Sequence, residues 1–466
     1  MDDWLNTSDV SAIELVRHAP PKKNYVTESD FIKLKSCRSY TPAKTNRTIH
    51  KQIEQAMLKA ISTREPLTAA EYLLHRNATT SAANLRVVFL TNFIPPYRLP
   101  VLRALGSQLG ALKTFVSTEM EANRSWASDW QGLHVDIQRS LSFRKMQRHP
   151  NGFDQDTYVH LPYDTIPKLA KFSPDVVISG EMGARTAQAV LYRLATPKSR
   201  LIIYADLSEH TELGCSRART HLRRWMLRYA DAVLVNGESG KRYVRSLGVP
   251  DSRLFCVPYA TDISVYGRQC LERDLTTVTN LLHVGQLIER KGIVKFIHTL
   301  SNWSEKHPNR LLELILVGDG PLRSSIETLN SPLNLRIKLI SHVPYSEMPS
   351  IYSQADLLVL PSLADSWGLV INEAMAAGLP VLGSVKSQAV EELVNDGENG
   401  WVFNPDNPSE TYLALDRALS APKETLARMR EKARETAFSV TPNLAAERML
   451  GAIDFCMNPL RHAISR

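Results

Sequence analysis

Long apolar runs are missing from this chain. No stretch approaches the ~20 consecutive apolar residues of a membrane-spanning helix, so none is expected. The first ten residues, MDDWLNTSDV, have no basic segment followed by an apolar one. They do not read as a secretory leader, and a cytoplasmic location is the expectation. Cysteine is scarce: Cys37, Cys215, Cys256, Cys270 and Cys456 are the only five in 466 residues. None are paired at metal-ligand spacing, and the odd count argues against a disulfide framework. No helix-turn-helix or zinc motif is visible, so nucleic acid is not an expected partner despite a net charge of +8. That charge suits an anionic nucleotide or membrane, and equally an ordinary solvated surface.

What is present is a globular composition, 43% hydrophobic and 22% charged, long enough for two core domains. Residues 1–84 are polar and mixed in charge, with helical patterns near 50–62 and 68–75, and read as a partly ordered extension. At Leu85 the pattern changes to short buried strands alternating with helices. The strands LRVVFLTNF, LKTFVS, DVVISG, RLIIYAD and AVLVNG define a first domain over 85–262. A segment without periodicity, 263–279, reads as a linker. A second series follows over 280–440: NLLHVGQL, LLELILVG, IKLISHV, ADLLVLPS and PVLGS. Residues 441–466 contain a last helix placed to cross back onto the first domain. Such alternation predicts open parallel sheets, α/β in class, with ligands at the carboxyl ends of the strands.

The stretch PSLADSWGLVINEAMAAGLPVLG, residues 361–383, carries the most chemistry. Asp365 lies eight positions before Glu373, with a Ser366-Trp367-Gly368 turn between and a small-residue helix start around the second carboxylate. Backbone N–H groups of such a turn suit a diphosphate. A carboxylate just inside the helix can accept from ribose hydroxyls. This is the layout of a nucleotide-sugar site.

Further landmarks stand in order: Gly285-Gln286-Leu287, Arg290-Lys291-Gly292, Val317-Gly318-Asp319-Gly320-Pro321, and Gly378-Leu379-Pro380-Val381. The ordered set resembles the retaining nucleotide-sugar glycosyltransferases of family 4, which have the GT-B fold of two facing Rossmann-like domains. The resemblance is dense over about 280–405, weaker over 85–262, and does not reach the first 84 residues. It implies that Glu373 holds the donor ribose, that Asp365 lies beside the donor sugar, and that Lys291 neutralises the departing diphosphate. Gly285, Gln286, Arg290, Val343, Ser366, Trp367, Gly368 and Leu369 would complete the donor side. Two positions depart from the family pattern: Asp365 stands where the family has Glu, and Gln286 where it usually has Arg. Arg290 can supply that missing charge from the same loop.

In the first domain the resemblance points to a His in the loop after the strand RLIIY, near the reacting carbons. His210 is the candidate, with Asp206 beside it. Asn92, Pro95, Tyr97, Arg98 and Glu181 follow other strands and should line the acceptor side. The basic helical stretch over 216–230, with Arg217, Arg219, Arg223, Arg224 and Arg228, can lie on an anionic membrane or pack its apolar stripe inward. The implied activity is transfer of a sugar from a nucleotide diphosphate sugar to a glycan, lipid-linked or small-molecule acceptor, with retention and without an obligatory metal. The rival readings are a degenerate, non-catalytic binder and a nucleotide-sugar epimerase.

Overall fold

The computed structural model describes residues 82–121, 129–266, 277–341 and 343–458. The extension helices expected at 50–62 and 68–75, His342, and most of the linker lie outside the described residues.

The first lobe is a seven-stranded, all-parallel sheet in the order β3-β2-β1-β6-β7-β8-β9. Its strands are β1 (Arg86–Thr91), β2 (Ala111–Val116), β3 (His134–Ile137), β6 (Val176–Gly180), β7 (Arg200–Ala205), β8 (Ala232–Val235) and β9 (Leu254–Cys256). Helices between the strands cover both faces. β6 and β8 are buried along their whole length, which is why they read as uninterrupted Val/Ile/Leu runs rather than alternating ones. The second lobe is a six-stranded parallel sheet in the order β12-β11-β10-β13-β14-β15. It comprises β10 (Asn280–Val284), β11 (Leu312–Val317), β12 (Leu335–Ile340), β13 (Leu357–Leu360), β14 (Val381–Ser384) and β15 (Gly400–Phe403). The expectation of two Rossmann-like lobes is met.

Each sheet reverses its winding once, between β1 and β6 in the first lobe and between β10 and β13 in the second. Loops diverge at such a reversal and leave a crevice at the carboxyl ends of the strands. The loops after β1, β6, β10 and β13 line one cleft of about 1250 Å³.

Between β3 and the helix Thr165–Phe172, a stretch with no expected element forms an antiparallel hairpin. It consists of β4 (Ser140–Arg148) and β5 (Asp154–Pro162) and belongs to neither sheet. β4 is almost wholly exposed. With no buried face it lacks the regular apolar alternation that marks most antiparallel strands. At the other end of the chain, the helix Pro442–Met457 packs on the helix Leu99–Gly106 and on β7, β8 and β9 of the first lobe. Ala445, Ala446, Met449 and Ile453 share one core with Val101, Leu102 and Leu105.

Candidate functional site

The second lobe supplies a loop with two cations and one carboxylate. Gly292 follows Lys291 with φ +67°, and a Cβ there would collide with the Pro361 carbonyl. The post-β10 loop therefore touches the post-β13 loop with no space between. Lys291 Nζ reaches Asp365 Oδ2 at 2.5 Å. Arg290 Nη1 lies 3.3 Å from Asp365 Oδ1 and donates to the Ala364 carbonyl at 2.8 Å. Burial works to raise the Asp365 pKa, but the charges and hydrogen bonds of Lys291 and Arg290 outweigh it and hold the carboxyl well below the usual range. Gly285, Gln286, Val343, Ser366, Trp367, Gly368 and Leu369 line the same cleft wall. The Trp367 ring is buried and donates from Nε1 to Asn372 Oδ1 at 2.8 Å, so its contribution to the cleft is mainly backbone. Gly368, at φ +102°, has Ser387 Oγ where a Cβ would go.

Glu373 sits deeper in the same wall, on the helix Val370–Ala376, and is only 6% exposed. Its Oε2 accepts from the Tyr352 hydroxyl at 2.7 Å. Tyr352 stacks edge-on with Tyr266, which meets Tyr345 in turn. Burial pushes the Glu373 pKa up to about 7, against the opposing Tyr352 hydrogen bond. This tyrosine cluster was not legible in the sequence, because its members come from the interlobe segment, the 345 loop and the helix Met348–Ser353. Behind the wall, fully buried His283 hydrogen-bonds from Nδ1 to the Val359 carbonyl at 3.0 Å, and burial lowers its pKa to about 4. It is neutral, and that tautomer leaves Nε2 as an acceptor.

The first lobe presents two ion pairs in which a buried arginine meets a half-buried carboxylate. After β6, Glu181 adopts φ +66°, uncommon for a non-glycine residue. Its Oε2 accepts from Arg185 Nη2 at 2.6 Å and from the Asn92 amide at 3.1 Å. Arg185 also donates to the Thr91 carbonyl at 2.8 Å and to Asn92 Oδ1 at 3.0 Å. After β7, Asp206 accepts from Arg98, from the Tyr259 hydroxyl, and from Asn236 Nδ2 at 2.7 Å. Arg98 lies among the rings of Tyr204, Tyr259 and Phe89. Burial raises the pKa of both carboxyls, with the arginines opposing it. Asn92, Tyr97, Glu181 and Asp206 line the cleft, whereas Pro95 and Arg98 are buried and are not among the lining residues. Arg185 and Tyr259 are the first-lobe residues that sequence reasoning missed. An Arg at the fourth position after a strand-end Glu was the available signal for the first.

His210 also does not line the cleft. Its ring is 3.8 Å from Glu209, and burial lowers its pKa. Its carbonyl accepts from Nε2 of His149, and His149 does line the cleft. His149 Nδ1 accepts from the Asn151 amide at 3.2 Å, so both ring nitrogens are engaged. His149 stacks on Phe153 at the hairpin tip. That tip reaches across the cleft: Asn151 Nδ2 donates to the Leu363 carbonyl at 3.1 Å, and Phe153 packs against Leu363 and Ala364, directly before Asp365. The turn signature Pro150-Asn151-Gly152 was the signal that could have revealed the hairpin.

On the helix Arg217–Arg228, Met226 and Leu227 pack into the lobe. Arg223 is buried too, paired with Glu212 and bonded to Tyr243, so the basic stripe is not all in water. Among the described residues no three His, Cys, Asp or Glu side chains cluster as metal ligands, and no helix is long and apolar enough to cross a membrane.

Residues 276–436 match the family model described as glycosyl transferases group 1. An uncharacterized glycosyltransferase of Methanocaldococcus jannaschii is 33% identical over 30% of this chain and 35% of its own length. The alpha-D-kanosaminyltransferase of Streptomyces kanamyceticus is 26% identical over 49% of this chain and 62% of its own. The chain thus spans between about a third and two-thirds of these curated relatives. Among solved structures, the Anabaena protein HepE in complex with UDP aligns with 82% of this chain and all of its own, at TM-score 0.58 and 15% identity. At that identity the likeness concerns the fold, which is GT-B.

Proposed function

We propose that this protein transfers a sugar from a nucleoside diphosphate sugar to an acceptor hydroxyl, with retention at the anomeric carbon, as in the family 4 glycosyltransferases. The observation that carries the reading is the pairing of Lys291 and Arg290 with one carboxylate, Asp365, at the second lobe's winding reversal. Two cations against one anion leave a positive surplus where a diphosphate would lie. The amides of Ser366, Trp367 and Gly368 add donors. The group 1 family match and the UDP bound by the HepE structure support a nucleotide donor.

In the proposed step the acceptor oxygen attacks the anomeric carbon on the face from which the phosphate leaves. The bond between that carbon and the phosphate oxygen breaks, and its electron pair goes to the diphosphate. The acceptor proton passes to a phosphate oxygen. Lys291 and Arg290 stabilise the charge that builds on the leaving group. Asp365 orients Lys291 and meets the donor sugar, and Glu373 accepts from the ribose hydroxyls. Asp206 and Glu181 face the acceptor. His149 is a wall residue rather than a base, since both its nitrogens are engaged. The reading requires no metal, and loss of transfer on chelation would revise it. The enzyme would work at the cytoplasmic face of a membrane, touching it through the exposed Arg217, Arg224 and Arg228. Sedimentation with anionic vesicles checks that contact.

Thermal unfolding with a panel of UDP-, GDP- and ADP-sugars tests the donor site, because a ligand of the native state raises its stability. One donor should stabilise the parent and not Glu373→Ala. If no donor does so, the degenerate-binder reading replaces this one, and Asp365→Glu with Gln286→Arg becomes the restoration to try.

A further inference from the structure

The hairpin β4–β5 is graded along its cleft side. Residues two apart share one face of a strand, and Phe143, Lys145 and Gln147 all line the cleft, opposite Val159 and Thr157 of β5. The inner end of this face is the tip at His149, fastened to the loop that carries Asp365. Its middle is cationic. Lys145 has no hydrogen-bond or ion-pair partner among the described residues, and Gln147 Oε1 accepts from Arg219 Nη2 at 2.9 Å, which brings a second cation alongside. The outer end is apolar and uncovered: Phe143 is 48% exposed, and Leu222, which lines the same cleft from the helix Arg217–Arg228, is 44% exposed. Leu141, on the same face by alternation, is 65% exposed and pairs with Leu161. Exposed apolar side chains grouped beside cations, at the mouth of a cleft, mark a binding surface rather than scattered surface residues.

We propose that this wall is the acceptor subsite, and that it takes an anionic amphiphile: a hydroxyl-bearing head, a phosphate or diphosphate, then an apolar chain. This rests on the transferase reading and names the acceptor class. At about 3.4 Å per residue, His149 to Lys145 spans about 14 Å, room for a sugar between the reacting end and the anion. The anion sits between Lys145 and Arg219, and the chain leaves over Phe143 and Leu222 towards Leu141.

The test is calorimetric titration of the full-length protein with farnesyl phosphate, farnesol and inorganic diphosphate. The donor thermal shift is recorded on each variant, so that loss of the donor site and loss of the acceptor site read out separately. Farnesyl phosphate should bind at least tenfold more tightly than either of the others. Lys145→Glu should weaken it tenfold or more and Phe143→Ser severalfold, both with the donor shift intact. Met146→Ser, which removes an exposed apolar side chain from the opposite face, should change nothing. Farnesol binding as tightly as its phosphate would overturn the anionic half of the proposal, and inorganic diphosphate binding as tightly, with that binding lost in Lys145→Glu and kept in Lys291→Ala, would overturn the apolar half. Equal losses in Met146→Ser and Phe143→Ser would show indiscriminate adsorption. No binding of farnesyl phosphate by a protein that responds to a donor would refute the subsite and leave the transferase reading standing.

Discussion

The two lobes place carboxylates at corresponding points of similar sheets and treat them oppositely. In the second, Asp365 has two cations to itself and is held firmly ionised. In the first, Glu181 and Asp206 each have one arginine, and burial raises both pKa values. The Asp365 cluster thus carries a surplus of one positive charge, while the Glu181–Arg185 and Asp206–Arg98 pairs each balance. A surplus suits a diphosphate and a balance suits a neutral hydroxyl. What separates the two walls is the count of cations around each acid, not the fold, and that count can be altered one side chain at a time.

The largest expected effect falls on the balanced wall. Arg98→Ala leaves Asp206 buried without its cation and removes a guanidinium packed among three rings. A loss of about 3–5 kcal/mol in urea-unfolding stability is expected. An unchanged midpoint would mean that Asp206 is neutral already. On the surplus wall the effect should appear in rate instead: Lys291→Ala should lower kcat about 10²–10³-fold, with little change in stability, as Arg290 still faces Asp365. If Lys291→Ala proves as destabilising as Arg98→Ala, the contrast between the walls collapses.

A third prediction sets Glu373 against Asp365 on the same wall. With a folded pKa of about 7 and an unfolded value near 4.3, the Glu373 contribution to stability is fully present below ~pH 4 and is lost as pH rises through 7. Its size is about 4 kcal/mol. Glu373→Gln should flatten the fall in melting temperature seen for the parent between pH 5 and 8. Asp365 has the opposite sign: its contribution is present above ~pH 4 and fades only in stronger acid. Donor affinity, if ribose hydroxyls donate to an ionised Glu373, should rise with pH between 6 and 8 in the parent and not in the Gln variant. The smallest effect is expected from Asn151→Ala, about 1 kcal/mol for one lost hydrogen bond, checked by urea unfolding. A loss several times larger would mean that the hairpin tip orders the whole Asp365 loop.

Much of this was readable beforehand, for a physical reason. Strands buried on both faces must be apolar throughout, so LRVVFLTNF and ADLLVLPS announce themselves. Loops at strand ends carry their charges in short, ordered motifs, so Lys291, Arg290, Asp365 and Glu373 stood out. The tyrosines around Glu373 did not, because residues 266, 345 and 352 meet only in the folded chain. The hairpin escaped because both sides of β4 are in water and its fixed point, the Leu363 carbonyl, lies 212 residues beyond Asn151. His210 was read from its neighbourhood. What brings His149 to the cleft, and leaves the His210 ring beside Glu209, is a turn with no local apolar pattern.

The helix Pro442–Met457 bears on how the protein is made. Its apolar side completes a core begun by Val101, Leu102 and Leu105. At about 5–20 residues per second, a ribosome needs some tens of seconds to travel from the one to the other. For that interval the nascent first lobe shows the cell an oily flank that only the helix Pro442–Met457 can cover. Early termination before residue 442 should therefore yield a chain that chaperones retain, even though every strand of both sheets has already been synthesised.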